Sequence, residues 1–308
     1  MSSEAFTSRP AESVGFIGLG SLGTAIAHRL AASGRLSAVW NRTPGRSGTL
    51  TATGVRQADS PAALIRETAV VILCVSDANA VEEVTFGPQG LVEGAAQGQV
   101  IVDHSSISPH DTRAIAARLA DETGARWLDA PVSGGPQGAD AGTLTVLAGG
   151  GKEDFLRVEP VLAAYAGQCT LIGPTGAGQA TKLCNQVIVA ATSWGLAEAT
   201  ILATTAGIDA ARLPEYLEGG FADSPLLRAL QPLMTPGDTT SFGSRDYLLK
   251  DLDTALHLAR SANCPMPVTA HAAELLRTAR KWSSPLHNGG IVDLLSGPQP
   301  GGARPDDN

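Results

Sequence analysis

Between residues 14 and 173, short uninterrupted apolar runs alternate with longer amphipathic or Ala-rich stretches. The runs are V-G-F-I-G (14–18), L-S-A-V-W (36–40), A-V-V-I-L-C-V (69–75), V-I-V-D (100–103), A-R-W-L-D-A (125–130) and T-L-T-V-L-A (143–148). Runs without a polar face, bounded by turn residues, predict strands covered on both sides, and the helical stretches between them predict right-handed crossovers. This half reads as a parallel α/β sheet.

After G-P-T-G-A-G the pattern changes. Residues 177–207 contain no proline and only two charges, Lys182 and Glu198. They predict one long helix, buried on most sides, joining two domains. Further helices are expected at 210–217, 246–262 and 268–281, while 219–244 is rich in Gly, Pro and Ser. The expected division is a nucleotide-binding domain at 1–173, a helical domain at 174–296 and a disordered tail at 297–308.

At 308 residues, two domains fit the usual size of about 100–200 residues each. The 22 Lys and Arg against 30 Asp and Glu leave a net charge of −8, which disfavours nucleic acid or an anionic membrane as partner. The four cysteines, Cys74, Cys169, Cys184 and Cys264, form no C-x-x-C pair and read as buried reduced thiols rather than a zinc site. No secretory leader is legible at the start, and no uncharged apolar run reaches the length of a membrane helix, so a cytoplasmic protein is expected. The six histidines are scattered and are read as structural, with no metal.

Gly18, Gly20 and Gly23 form G-x-G-x-x-G, with Leu19, Ser21 and Leu22 between them, directly after the first apolar run and before a helical stretch. In that context the glycines permit the turn, the approach of a pyrophosphate and close helix–strand packing, with the anion at a helix N-terminus. An NAD site would end the second strand in a carboxylate, which accepts from the ribose 2′-hydroxyl. Here stand Asn41, Arg42 and Thr43, with Arg46 nearby. A cation that can pair with a 2′-phosphate favours NADP(H) over NAD(H), against the plainer reading of a solvated surface arginine. Val75 and Ser76, and Ser105 and Ser106, close later strands at the end where such sheets bind ligands. Ser105 and Ser106 are placed to donate to ribose or nicotinamide; equally, Ser106, with Pro109 following, can simply begin a helix.

Lys182 lies in the first turns of the long, nearly uncharged helix, three residues before Asn185 and on the same face. Burying an ammonium is costly, so a lysine there is a candidate acid/base rather than a surface cation. Ser133, Gly134 and Gly135 lie in an irregular loop whose N–H groups form a nest for a carboxylate, unless the loop is merely flexible. Lys250, in Y-L-L-K-D-L-D, reads by itself as part of a solvated helix face.

Taken in order, G-F-I-G-L-G-S-L-G, N-R-T-P, D-H-S-S-I-S-P, D-A-P-V-S-G-G-P-Q-G-A-D-A-G-T-L, G-A-G-Q-A-T-K-L-C-N-Q and K-D-L resemble the β-hydroxyacid dehydrogenase family. That family includes 3-hydroxyisobutyrate dehydrogenase, tartronate semialdehyde reductase and the glyoxylate/succinic semialdehyde reductases, and the resemblance spans about residues 14–295. It implies an N-terminal Rossmann doubly wound sheet joined by a long helix to an all-α C-terminal domain that builds a homodimer or homotetramer. It also implies Lys182 as catalytic lysine, Asn185 as substrate contact, and Ser133, Gly134 and Gly135 as the loop that takes the carboxylate of a small substrate. Lys250 becomes the lysine that reaches substrate and cofactor from the helical domain. The related imine reductases share N-R-T-P but usually lack a lysine at position 182 and the S-G-G loop, so carbonyl reduction is favoured over them. A non-catalytic NADP-binding scaffold would be expected to have lost Lys182 and Asn185. Trp194, Phe221, Phe242 and Tyr247 either shape the substrate pocket or pack the helical domain. His104 departs mildly from the family's D-x-S-T.

Overall fold

The computed structural model describes residues 12–234, 245–282, 291–292 and 295. The chain divides into two compact units, 1–182 and 183–308. The first begins β1 (Val14–Ile17), α1 (Ser21–Ala32), β2 (Leu36–Trp40), α2 (Gly48–Thr51) and β3 (Arg56–Gln57). There follow α3 (Pro61–Ile65), β4 (Val70–Leu73), α4 (Ala78–Phe86), β5 (Val100–Asp103), α5 (Pro109–Thr123) and β6 (Arg126–Asp129). The unit continues through β7 (Val132–Ser133), α6 (Gly135–Ala141), β8 (Leu144–Gly149), α7 (Lys152–Leu162) and β9 (Ala166–Gly173).

The strands β3-β2-β1-β4-β5-β6 lie in that order and run parallel, the doubly wound arrangement whose crevice opens at the carboxyl ends of the strands. Successive residues of each strand enter opposite cores. Val14, Phe16, Val70, Ile72, Val100 and Val102 pack on one face of the sheet, and Ile17, Val71, Leu73, Ile101 and Trp127 on the other. That two-sided burial is why these strands read as unbroken apolar runs.

The expectation of a wholly parallel sheet needs correction. β8 runs antiparallel to β6 and β7, and parallel to β9. β7 follows β6 after only Ala130 and Pro131, and the chain returns through α6 to pair β8 antiparallel with both. β9, an edge strand with several exposed positions, and the two-residue β3 carry no long apolar run and escaped the pattern.

Helix α8 (Ala177–Thr205) spans the division between the units and ends two residues short of expectation, where Gly207 adopts φ 74°. Its start is fastened to the sheet by Asp129, the buried last residue of β6. Asp129 Oδ1 accepts from Gly176 N at 2.7 Å and Oδ2 from Gln179 N at 2.9 Å. Gln179 Nε2 donates to Ser105 O at 2.7 Å, and its Oε1 accepts from Ile107 N at 3.3 Å. Burial pushes the Asp129 carboxyl above its ordinary range, and the N–H donors of Gly176, Gln179 and Gly178 oppose that rise.

The second unit continues through α9 (Leu213–Tyr216), α10 (Pro225–Leu230), α11 (Arg245–Ser261) and α12 (Pro267–Trp282). Ala190, Trp194 and Ala197 of α8 pack with Leu230, Leu248, Leu252, Leu256, Ala273 and Leu276 in its core. By length and composition α8 could cross a membrane, but only 33% of its most apolar window is buried, so the expectation of burial on most sides is not met. Trp194 belongs to packing, whereas Phe221 and Tyr247 are exposed; Phe242 and the tail at 297–308 lie outside the described residues. Cys74 and Cys169 are partly buried, but Cys184 and Cys264 are exposed, because position 184 lies on an outward stripe of α8 and position 264 in the turn after α11. The buried reading of the thiols thus fails for two of the four.

A buried polar pair sits in the core of the first unit. His104 Nδ1 donates to Ala130 O at 2.6 Å, and Tyr165 Oη donates to His104 Nε2 at 2.8 Å. Burial lowers the His104 pKa from 6.5 to about 4, against the smaller opposing effect of the Ala130 carbonyl.

Two expectations follow. Asp129→Ala leaves helix-terminal N–H groups buried without an acceptor, and denaturant unfolding should show a loss of about 2–3 kcal/mol. Because folded His104 resists protonation, its contribution is complete above pH 6.5 and is lost as pH falls towards 4. Unfolding free energies measured across that window should fall more steeply for the native chain than for His104→Asn, and equal slopes would refute the assignment.

Candidate active site

The Gly-rich loop leaves β1 at Gly18, whose φ of 99° and the carbonyl of Cys74, 2.2 Å from where a Cβ would stand, admit only glycine. A Cβ on Gly23 would lie 2.0 Å from Gly18 O, so this position fixes α1 against the loop. Gly20 differs, because a Cβ there would meet nothing within 4 Å. Gly20 also caps α1 without a side-chain hydrogen bond, and the first turn holds no acidic residue. Open space before uncompensated helix N–H groups fits a pyrophosphate. Leu19 turns its side chain into the core, Leu22 packs against that core, and Ser21 is exposed.

Asn41 ties this loop to the end of β2. Its Oδ1 accepts from Leu19 N at 2.8 Å, and its Nδ2 donates to Thr43 O at 2.8 Å. Arg42, Thr43 and Arg46 are exposed. Arg42 lies 3.8 Å from Glu83, with its side chain 74% exposed, a solvated pairing worth little.

At the end of β4, Val75 is partly buried and Ser76 exposed. Val75 N donates to Ser105 Oγ at 3.0 Å, so the buried Ser105 hydroxyl ties the β4 and β5 ends together. Ser106 is half-buried at the same edge. Ser108, not Ser106, opens α5, accepting from Asp111 N at 3.0 Å with Pro109 as the first helical residue.

Beyond β6, Ala130 N donates to Asp103 O, and the chain passes through Pro131 into β7. Ser133 is half-buried, Gly134 exposed, and both glycines have positive φ, 123° at Gly134 and 64° at Gly135. Lys182, in the second turn of α8, is half-buried, and its Nζ donates to Val132 O at 2.8 Å. The structure thus brings Lys182 to the loop holding Ser133, Gly134 and Gly135, and sets both on the β6 side of the edge that carries the Gly-rich loop. Among the described residues no His, Cys, Asp and Glu side chains group as a metal site.

The second unit carries a separate polar cluster. Asn185 Nδ2 donates to Gln186 Oε1 at 2.9 Å, Gln186 Nε2 donates to Asp251 Oδ2 at 2.8 Å, and Lys250 Nζ lies 3.5 Å from Asp251 Oδ1. Asn185 and Lys250 are therefore linked through Gln186 and the buried Asp251.

Sequence reasoning assigned no role to Asp129, Gln179 or Gln186. The signal was present for the first two: a carboxylate ending a buried strand, and an amide in the first turn of a helix that is otherwise almost uncharged.

Comparison with known proteins agrees with this geometry. Residues 13–173 match the NAD binding domain of 6-phosphogluconate dehydrogenase, and 176–287 match the NAD-binding region of NADP-dependent 3-hydroxyisobutyrate dehydrogenase. The 2-hydroxy-3-oxopropionate reductase of Escherichia coli (strain K12) is 36% identical over 288 residues, covering 92% of this chain and 96% of its own. The 3-hydroxyisobutyrate dehydrogenase of Mycobacterium tuberculosis, solved with L-serine, superposes with a TM-score of 0.82 at 27% identity, over 94% of this chain and 100% of its own. Psf3, solved with NADP+ and 2-OPP, gives 0.82 at 26% identity, over 92% and 99%. With both halves matched in order around one lysine-bearing helix, the chain belongs to the β-hydroxyacid dehydrogenase family, NAD(P)-dependent oxidoreductases that act on hydroxyacids.

Proposed function

We propose that this chain is an NADP(H)-preferring enzyme that interconverts a small carboxylate-bearing aldehyde and its β-hydroxy acid, with Lys182 as general acid/base. Substrates of the 3-hydroxyisobutyrate, tartronate semialdehyde, glyoxylate or succinic semialdehyde type fit this reading. The observation that carries it is the Lys182 amine, held to Val132 O at 2.8 Å at the root of the Ser133–Gly135 loop. A nicotinamide dinucleotide, when bound along the Gly18–Gly23 loop, supplies or accepts the hydride at its C4.

In this reading Ser133 Oγ and the N–H groups of Gly134 and Gly135 receive the substrate carboxylate. Lys182 Nζ donates a proton to the carbonyl oxygen as negative charge develops on it, and takes the proton back during oxidation. Asn185, one turn along the same helix, donates to and accepts from the substrate hydroxyl. The role of Lys250 towards substrate and cofactor rests on the family resemblance alone. Val75, Ser76 and Ser106 line the cofactor at the strand ends, and Arg42, with Thr43 and Arg46, takes the 2′-phosphate.

The proposed assembly is a homodimer or homotetramer. Ile188 and Leu202 leave α8 at 64% and 71% exposure, apolar surface suited to a second copy. The proposed location is the cytoplasm.

Lys182→Ala should lower turnover of carboxylate-bearing aldehydes by about 10²- to 10⁴-fold while NADPH still binds; retained turnover would remove the lysine from the mechanism. Reduction of a prochiral cyclic imine faster than of any such aldehyde would favour the imine reductase reading. Arg42→Ala should weaken NADPH by about 1.5–3 kcal/mol, as for a hydrogen bond to a charged group, and barely change NADH. Equal losses for the two cofactors, measured by fluorescence titration, would dismiss the NADP preference.

A further inference from the structure

Val132 O, the acceptor for the Lys182 amine, lies two residues beyond Ala130. The peptide joining Ala130 to Pro131 has no N–H, because proline supplies none. Its carbonyl is therefore its one hydrogen-bonding group, and that carbonyl accepts from His104 Nδ1 at 2.6 Å. His104 is held in turn by Tyr165, whose hydroxyl meets Nε2 at 2.8 Å with the rings edge-on at 81°. Ala130, His104 and Tyr165 are 1%, 3% and 0% exposed, so water cannot replace either bond. Each flanking main-chain group is also fixed, Ala130 N to Asp103 O and Leu147 N to Pro131 O.

We infer that His104, oriented by Tyr165, is a positioning residue that sets the Ala130–Pro131 peptide plane and thereby the place of Val132 O and of the Lys182 amine. The neutral imidazole fits this role, since Nδ1 is then free to donate while Nε2 accepts. His104 touches neither substrate nor cofactor in this arrangement. The catalytic part of the inference rests on Lys182 being the acid/base; the placement of the amine does not.

The amide of an asparagine at position 104 can put an N–H where Nδ1 stands, whereas that of a glutamine can put its oxygen where Nε2 stands. Asparagine therefore keeps the bond to Ala130 O and glutamine keeps the bond to Tyr165, although glutamine is closer to histidine in volume. Tyr165→Phe keeps the ring and removes only the hydroxyl.

The test uses the whole chain and two readouts. The first is the rate of Lys182 reductive methylation by mass spectrometry, with Lys152 of the four lysines, Lys152, Lys182, Lys250 and Lys281, as internal reference. The second is steady-state reduction of 2-hydroxy-3-oxopropionate by NADPH. His104→Leu and His104→Gln should speed Lys182 methylation several-fold and lower kcat about tenfold, as a small misplacement of a reacting group does, with KM for NADPH unchanged. His104→Asn should stay near the native chain in both, and Tyr165→Phe should fall between. Should glutamine restore both readouts better than asparagine, the residue only fills space and the inference fails. It fails equally if none of the variants, Tyr165→Phe included, changes Lys182 methylation. Retained turnover in Lys182→Ala would instead defeat the acid/base reading and leave the methylation result to decide the positioning.

Discussion

Everything at the candidate site depends on how the Asp129 carboxylate meets the head of α8. A helix start is rich in unsatisfied N–H groups, and here it is pressed against the sheet so closely that a Cβ on Gly178 would stand 2.2 Å from Leu147 O. Water is excluded from such a junction, and a side chain must take the donors. Asp129 does so with one oxygen for Gly176 and the other for Gln179. Because Asp129 closes β6 in register with Asp103 of β5, the helix inherits the precision of the sheet. Lys182, one turn further, is then carried to Val132 O by geometry already fixed.

The same economy appears along the whole carboxyl edge. Polar side chains there mostly bind main chain of a neighbouring strand end: Asn41 to Leu19, Ser105 to Val75, Gln179 to Ser105 and Ile107, His104 to Ala130. Each replaces a hydrogen bond that a loop would otherwise seek from water, and in a buried setting each has the full value of a satisfied group. The loops are thereby tied to the strand ends. The three glycines of the first loop divide the work. Gly18 and Gly23 are demanded by neighbouring main chain, while the open side of Gly20 faces the space a ligand would fill.

Much of this was legible beforehand, for physical reasons that can be named. Strands buried on both faces leave unbroken apolar runs, so β1, β2, β4, β5, β6 and β8 stood out, as did the nearly uncharged α8. What escaped notice was written in a weaker code. β9 alternates irregularly at the sheet edge, and the reversal at β8 comes from its antiparallel pairing with β7 across α6 rather than from composition. Lys182 is conspicuous because a charge in a nearly uncharged, apolar helix is costly. His104 is not, because its value lies in a partner 26 residues away. Asn41 was read for the carboxylate it replaces, and its bond to Leu19 N is visible only in three dimensions. Ser105 reads as a cofactor donor, and that its hydroxyl also accepts from Val75 N is visible only in the structure.

The frame is made of contacts from Asp129, Gln179, Asn41 and Ser105 to main chain, and the side chain of Ser133 carries none of them. Pairing of Ser133 with Thr145 in β7 and β8 is main-chain pairing, indifferent to what position 133 bears. Substitution at position 133 should therefore change the polar lining of the loop while leaving the strand pairing beneath it intact.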